Sequence, residues 1–225
     1  MKNFVFSLGG SVVAPAVGVN VKFLAAFKKL LSKFVRRSRF YIIVGGGAAA
    51  RQYQKAMKES GVNNTDELDW IGIAATRLNA ELVRVSLGKI ACPQIILDPT
   101  KLPKSKKQVF VGGGWKPGWS TDYVAAVLAK NIGAKTVVNL SNIDYICDKD
   151  PKKFADAKPF KKMRWSDLRD LVGEKWVPGF HLPFDPKACA LAKKEKMSVI
   201  FLNGNNLNNL KKFIEGKSFI GTIVE

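Results

Sequence analysis

Phe40-Tyr41-Ile42-Ile43-Val44 runs directly into Gly45-Gly46-Gly47. The first five residues are apolar and β-prone, as in a strand buried on both faces. Glycines at a strand end let the backbone turn sharply and bring its N–H groups close to an anion. The arrangement recurs twice. Phe4-Val5-Phe6-Ser7-Leu8 leads into Gly9-Gly10-Ser11, and Val109-Phe110-Val111 leads into Gly112-Gly113-Gly114. A helix starting just after such a loop adds its own N–H groups and dipole. One such loop is an ordinary tight turn of α/β proteins. Three in one small domain point to a site holding several phosphates, as when a phosphoryl donor and acceptor bind side by side.

Outward from these loops, helix and strand patterns alternate. Phe23, Phe27, Leu30, Leu31 and Phe34 recur at helical spacing over residues 21–35, and Arg36-Arg37 follow where cations suit the dipole. Residues 48–60 and 65–87 read as helices stopped by Gly61 and Gly88. Residues 94–97 and 109–111 read as short strands. Residues 121–131 read as a helix with Ser120 or Thr121 as its N-cap. Residues 135–140 read as a buried strand, and 149–162 as irregular. Helices are expected over 165–172, 187–196 and 207–214, and strands over 199–202 and 219–224. The alternation predicts an α/β fold in one domain, a three-layer αβα sandwich on a mainly parallel central sheet. Such sheets bind ligands at strand C-terminal ends, where the glycine runs sit.

Composition narrows the function classes. The 225 residues are 47% apolar, enough for a substantial core. No apolar run reaches the roughly 18 to 20 residues that span a bilayer. Met1-Lys2-Asn3-Phe4 enters a strand without a signal-peptide pattern, so a cytoplasmic protein with no membrane contact is expected. Cys92, Cys147 and Cys189 are widely spaced and fit buried apolar positions better than a metal site or disulfides. His181 is the only histidine, which leaves little basis for zinc or histidine catalysis. The formal net charge of +19 comes mainly from dispersed lysine clusters. This field attracts nucleotides and allows non-specific contact with polyanions such as RNA. No interleaved aromatics form a base-stacking platform beside those lysines.

The motifs exclude several chemistries. No GxxxxGK[ST] run exists, and Gly112 to Gly118 lacks the lysine-serine pair. Gly45 to Ala50 lacks the spacing of a dinucleotide fingerprint. GxSxG is absent. Phosphoryl transfer uses the available parts best, because it needs positioning and charge neutralisation more than covalent chemistry.

Ser7-Leu8-Gly9-Gly10-Ser11, Val44-Gly45-Gly46-Gly47 with Arg51, Asp69-Trp70-Ile71-Gly72-Ile73 and Ala75-Thr76-Arg77-Leu78-Asn79-Ala80 occur in this order. Gly113-Gly114, Pro117-Gly118, Ser120-Thr121-Asp122, Asn142-Ile143-Asp144, Asp150-Pro151, Asp185-Pro186 and Gly221-Thr222 follow. In their number, order and spacing these pieces resemble the amino-acid-kinase superfamily, and within it the archaeal-type uridylate (UMP) kinases. The resemblance runs from Phe4 to Thr222.

It implies two lobes in one domain, an acceptor lobe over about 1–110 and an ATP lobe over about 111–225. It implies transfer of the ATP γ-phosphate to UMP, with Mg²⁺ carried by ATP and no metal site of the protein's own. Asp122, Gly10 and Arg51 take the catalytic places, Asp122 as the aspartate that orients cationic groups around the phosphoryl. ATP falls to Ser7, Leu8, Gly9, Gly10, Ser11, Gly47, Arg51, Ser141, Asn142, Cys147 and Asp150. UMP falls to Gly46, Asp69, Gly113, Gly114, Trp115, Lys116, Pro117, Gly118, Trp119, Ser120 and Thr121. Related enzymes imply a homo-oligomer, a hexamer.

The residues themselves fit this chemistry. A cation near a helix N-terminus, as at Arg51, opposes the dipole and favours an anionic ligand. A UMP phosphate oxygen is a ready nucleophile, since its second pKa is about 6 and no general base is required. Departures from the pattern are also visible. Ser7 stands where many superfamily members have lysine. Cys147 stands where an aromatic residue usually packs on adenine. Trp115, Lys116 and Trp119 replace small or polar residues, with Lys116 available to a phosphate and the indoles to a base. Arg77 is open between a ligand and a carboxylate partner. A kinase of the same fold acting on another phosphate or small acid, or a non-catalytic nucleotide- or oxyanion-binding protein, remain as alternatives.

Overall fold

The buried runs of the sequence become the middle of one seven-stranded sheet. In chain order the strands are β1 (Lys2–Leu8), β2 (Ser38–Val44), β3 (Val109–Gly112), β4 (Thr136–Ser141), β5 (Ile146–Cys147), β6 (Pro159–Phe160), β7 (Lys162–Met163), β8 (Ser198–Asn203) and β9 (Thr222–Val224). The sheet order is β3-β2-β1-β4-β8-β9-β7, and β5 pairs with β6 in a separate antiparallel ribbon. The computed structural model describes residues 1–149, 151, 153–172 and 184–225. Asp150, Trp176 and His181 therefore lie outside the described residues.

The helices are α1 (Gly10–Val13), α2 (Val21–Ser32), α3 (Gly47–Glu59), α4 (Thr65–Leu87), α5 (Thr121–Asn131), α6 (Trp165–Val172), α7 (Pro186–Lys194) and α8 (Leu207–Ile214). Their ends follow local chemistry. The Asn20 side chain accepts the Phe23 N–H at 3.1 Å and starts α2. Asn64 accepts the Asp66 and Glu67 N–H groups at the start of α4, with those two acids in the first turn. Gly88, at φ 61°, ends α4 in a conformation most side chains avoid.

The period-two alternation of the strands divides the core between the two sheet faces. Phe6, Leu8, Phe40, Ile42, Val138, Leu140, Ile200 and Leu202 pack with α2, α4 and α8. Val5, Tyr41, Ile43, Val137, Val199 and Phe201 pack with α5, α6 and α7. Five central strands, β3 to β8 in spatial order, run parallel, so their C-termini share one edge. The chain adds β2 and β3 on one side of β1, then β4 and β8 on the other. The order reverses between β1 and β4, and open α/β sheets form their ligand crevice at such a point.

Some local expectations give way to tertiary context. Residues 94–97 form no strand; Ile96 makes a single bridge to Gly112. The expected strand over 219–224 shortens to Thr222–Val224 and runs antiparallel to β8. The stretch expected to be irregular contributes β6, because Thr222 Oγ1 accepts the Ile146 N–H at 2.9 Å and bonds the Phe160 carbonyl, tying the ribbon to the sheet. Cys92 and Cys189 are buried as expected, while Cys147 is only partly buried.

Candidate active site

The first two glycine loops cross at the C-terminal edge of β1. Gly9 N–H donates to the Leu140 carbonyl at 2.8 Å, and Gly45 N–H to the Leu8 carbonyl at 2.8 Å. Gly10 sits so tightly under Gly45 and Gly47 that a Cβ there would run into backbone atoms of both. Gly47 has φ 64° and opens α3, a helix of 13 residues whose N-terminus attracts anions. Arg51, one turn into α3, is exposed and reaches Ser11 Oγ with Nη2 at 3.4 Å, a long contact. Ser11, Gly47 and Arg51 are thus brought together on one wall.

On the other sheet face the crevice has a polar floor. Ser7 on β1 and Asn139 on β4 are register partners on neighbouring strands. Asp122, in the first turn of α5, accepts both side chains on one oxygen: Ser7 Oγ at 2.6 Å and Asn139 Nδ2 at 3.0 Å. Asp185 lies nearby. Its carboxylate caps α7 through the Lys187 N–H at 2.9 Å and accepts Ser120 Oγ at 2.6 Å. Ser120 in turn accepts the Tyr123 N–H and is the N-cap of α5. Burial raises the Asp122 carboxyl from 3.8 to about 6, against the Ser7 and Asn139 donors that favour its charge, with Asp185 adding repulsion. Burial, with the same two carboxylates, pushes the Cys189 thiol up to about 12, so it is no nucleophile.

The third glycine loop is held by α4. Thr76 Oγ1 accepts the Gly114 N–H at 2.6 Å. Arg77 donates to the Gly114 and Trp115 carbonyls at 3.2 and 3.1 Å, so its partner is backbone and not a carboxylate. Asp69 accepts the Gly118 N–H at 2.7 Å. Asn79 Nδ2 donates to the Gly45 and Gly46 carbonyls at 2.9 and 3.1 Å. One helix therefore fixes both acceptor-side loops. Thr76 and Asn79 are buried polar residues whose positioning role the sequence reading missed. Their signal is a polar pair on an otherwise apolar helix face.

The residues between Gly114 and Ser120 form an aromatic cluster. Trp115 and Trp119 meet edge to face with centroids 4.7 Å apart, and Trp119 meets Tyr123 at 4.5 Å. The Lys116 ammonium lies 4.3 and 4.6 Å from the two indole centroids. The indoles engage one another and Lys116, so in this structure that lysine is held by the rings.

On the ATP-assigned side, Ser141 ends β4 and Asn142 follows it, exposed. Cys147 lies on β5 opposite Pro159, beyond the strand end. Asp144 accepts Asn203 Nδ2 at 3.1 Å. The crevice thus gathers Ser7, Leu8, Gly9, Gly10, Gly47, Asp122 and Ser141, while Asp69 faces the third glycine loop and Cys147 the ribbon. Among the described residues no group of three or more His, Cys, Asp or Glu could hold a metal. Asp122, with Asp185 coupled to it, brings a buried carboxylate to the floor.

The amino acid kinase family model matches residues 2–203. The chain is 36% identical over 229 residues to the uridylate kinase of Thermoplasma volcanium, covering 100% of this chain and 98% of that one. It is 34% identical over 230 residues to the uridylate kinase of Methanospirillum hungatei, covering 100% and 95%. The crystal structure of uridylate kinase from Archaeoglobus fulgidus matches with a TM-score of 0.82 at 29% identity, covering 100% of both chains. The UMP kinase of Bacillus anthracis shares the fold, with a TM-score of 0.79 at 21% identity over 100% of this chain and 96% of that one. The chain belongs to the amino acid kinase family, alongside the archaeal uridylate kinases.

Proposed function

We propose that this chain is an ATP:UMP phosphotransferase. The observation that carries the reading is Asp122 held by Ser7 at the end of β1, two residues before the first glycine loop, in a chain similar end to end to uridylate kinases. A UMP phosphate oxygen attacks the γ-phosphorus of ATP. The bond from that phosphorus to the bridging oxygen breaks, and ADP leaves with its electron pair. The nucleophile is ionised at neutral pH, so no proton needs removal. The barrier is the approach of two polyanions.

Each part of the chain has a task in this reading. The Gly10, Gly46 and Gly47 amides receive the phosphates, and Arg51 adds charge beside Ser11. When bound with ATP, Mg²⁺ would supply charge neutralisation to the transferring phosphates. Asp122 orients the cations that gather there. Asp69, still holding Gly118, has a second carboxylate oxygen for the UMP ribose. Gly113 to Thr121 surround the base and phosphate, with Lys116 released from the indoles as UMP enters. Ser141, Asn142 and Cys147 line the ATP side.

The same reading places the protein in the cytoplasm, in pyrimidine nucleotide synthesis. No helix among the described residues is long and apolar enough to cross a membrane. Self-association is supported by Trp70, Leu78 and Val85, 45%, 66% and 63% exposed along one side of α4, with Tyr53 of α3 also exposed. The test is ADP release from MgATP with UMP, CMP, dUMP, AMP, GMP and isopentenyl phosphate offered separately. Preferred turnover with UMP, lost in Asp122→Asn, is expected. Absence of turnover with every acceptor in a folded, nucleotide-binding protein overturns the reading.

A further inference from the structure

Asn139 is an unusual residue for its place. It lies on a central strand at 6% exposure, between register partners Ser7 on β1 and Phe201 on β8. Val137, two residues earlier on the same face, is apolar and fully buried. An amide here must be satisfied or costs stability. Its Nδ2 donates to Asp122 Oδ1 at 3.0 Å, but its own Oδ1 is buried without a partner. Ser141 Oγ, next on that face of β4, is also buried without a partner. The strand thus keeps an imperfectly satisfied polar residue where a leucine has nearly the same shape, which asks for a reason in the site.

That reason lies in what holds Asp122. Among the described residues no lysine or arginine forms an ion pair with it. Two neutral donors, facing each other across the β1/β4 junction, hold it instead. We propose that Asn139 is a positioning residue for phosphoryl transfer, which with Ser7 fixes the Asp122 carboxylate in one orientation at the floor of the crevice. The inference rests on the kinase reading for its consequence and on the hydrogen bonds alone for its geometry.

A donor on an ionised carboxylate favours the charged form. The groups facing Asp122 can be named by element. Helix α7 brings Asp185 and Cys189, which both couple to it. Strands β1 and β4 bring neutral Ser7 and Asn139, and β2 brings Tyr41 into the same core. Burial and the Asp185 carboxylate oppose ionisation, while the donors on β1 and β4, with the Asp185 backbone N–H, favour it. Removing one moves ionisation to higher pH and frees the carboxylate to turn.

The experiment compares wild type, Asn139→Leu and Asn139→Gln in kcat and kcat/KM for ATP from about pH 5 to 9. The ionisation of UMP is common to all three, so only differences between variants count. Asn139→Leu is expected to move the acid limb up by about one pH unit, so that activity falls about fivefold near pH 6, approaches a tenfold loss near pH 5 and recovers most of the way above pH 8. Asn139→Gln, which keeps a donor, is expected to bring the limb back toward wild type. A uniform loss with an unmoved limb, or no change, overturns the proposal. Asn139→Ala replaces the leucine variant if that variant does not fold. Carboxyl ¹³C NMR of aspartate-labelled protein without substrate gives a second readout. There the Asp122 resonance is expected to titrate about one unit higher in Asn139→Leu, and an unmoved titration refutes the idea. Wild type inactive with every acceptor overturns the kinase reading and leaves this titration to decide the role of Asn139.

Discussion

Replacing Asp122 by asparagine separates what the residue does for stability from what it does for function. Burial lifts its carboxyl from 3.8 to about 6 in the folded protein. A carboxyl raised in this way carries no penalty while it is neutral in both states. As pH rises above the unfolded value the unfolded chain ionises first, and folding loses stability until the folded carboxyl ionises too. At pH 8 the loss is about 3 kcal/mol, and by pH 4 it is under about 1 kcal/mol. Asparagine cannot ionise. Its amide still accepts from Ser7 and Asn139, although one carboxylate oxygen is lost as an acceptor, a cost of about 1 kcal/mol. The variant is therefore expected to be about 2 kcal/mol more stable than wild type at pH 8, with the gap shrinking and reversing toward pH 4. Urea unfolding of both proteins at several pH values reads this directly. In parallel, kcat is expected to fall by about 10² or more, as when preorganised charge is removed from a transferring group. A stability difference that does not change with pH, or an asparagine variant less stable at pH 8 than at pH 4 relative to wild type, refutes the reasoning. The expected pattern marks a group kept for activity against its effect on folding.

Two further perturbations test how the loops are held. Gly10→Ala places a methyl against the backbone of Gly45 and Gly47, which no side-chain rearrangement relieves. A stability loss of about 1 to 3 kcal/mol in urea is expected, with phosphoryl transfer abolished. Asn79→Leu strips the donor from the Gly45 and Gly46 carbonyls, both otherwise tied to α4 through this amide. A loss of about 1 to 3 kcal/mol and a raised KM for UMP are expected; unchanged kinetics would mean that the loop holds its shape without α4.

The sequence by itself determined most elements of this protein and the general position of its chemistry. Hydrophobic periodicity and glycine or asparagine at element ends are local signals, and they marked α2, α4, α5 and the central strands nearly to their observed bounds. The three glycine runs and the ordered motifs around them located the crevice and the family. Tertiary structure alone decided who meets whom inside it. Ser7 and Asn139 become partners only through the register of β1 on β4, and both reach Asp122 only because α5 packs under that junction. Arg77 and Lys116 read equally well as ligands for anions, yet carbonyls hold one and indoles the other. Residues 94–97 have the composition of a strand but make only the Ile96 bridge. The physical reason is common to these cases. A helix or strand is set by neighbours a few residues apart, whereas a buried polar group takes whichever partner the packed sheet brings within hydrogen-bonding distance.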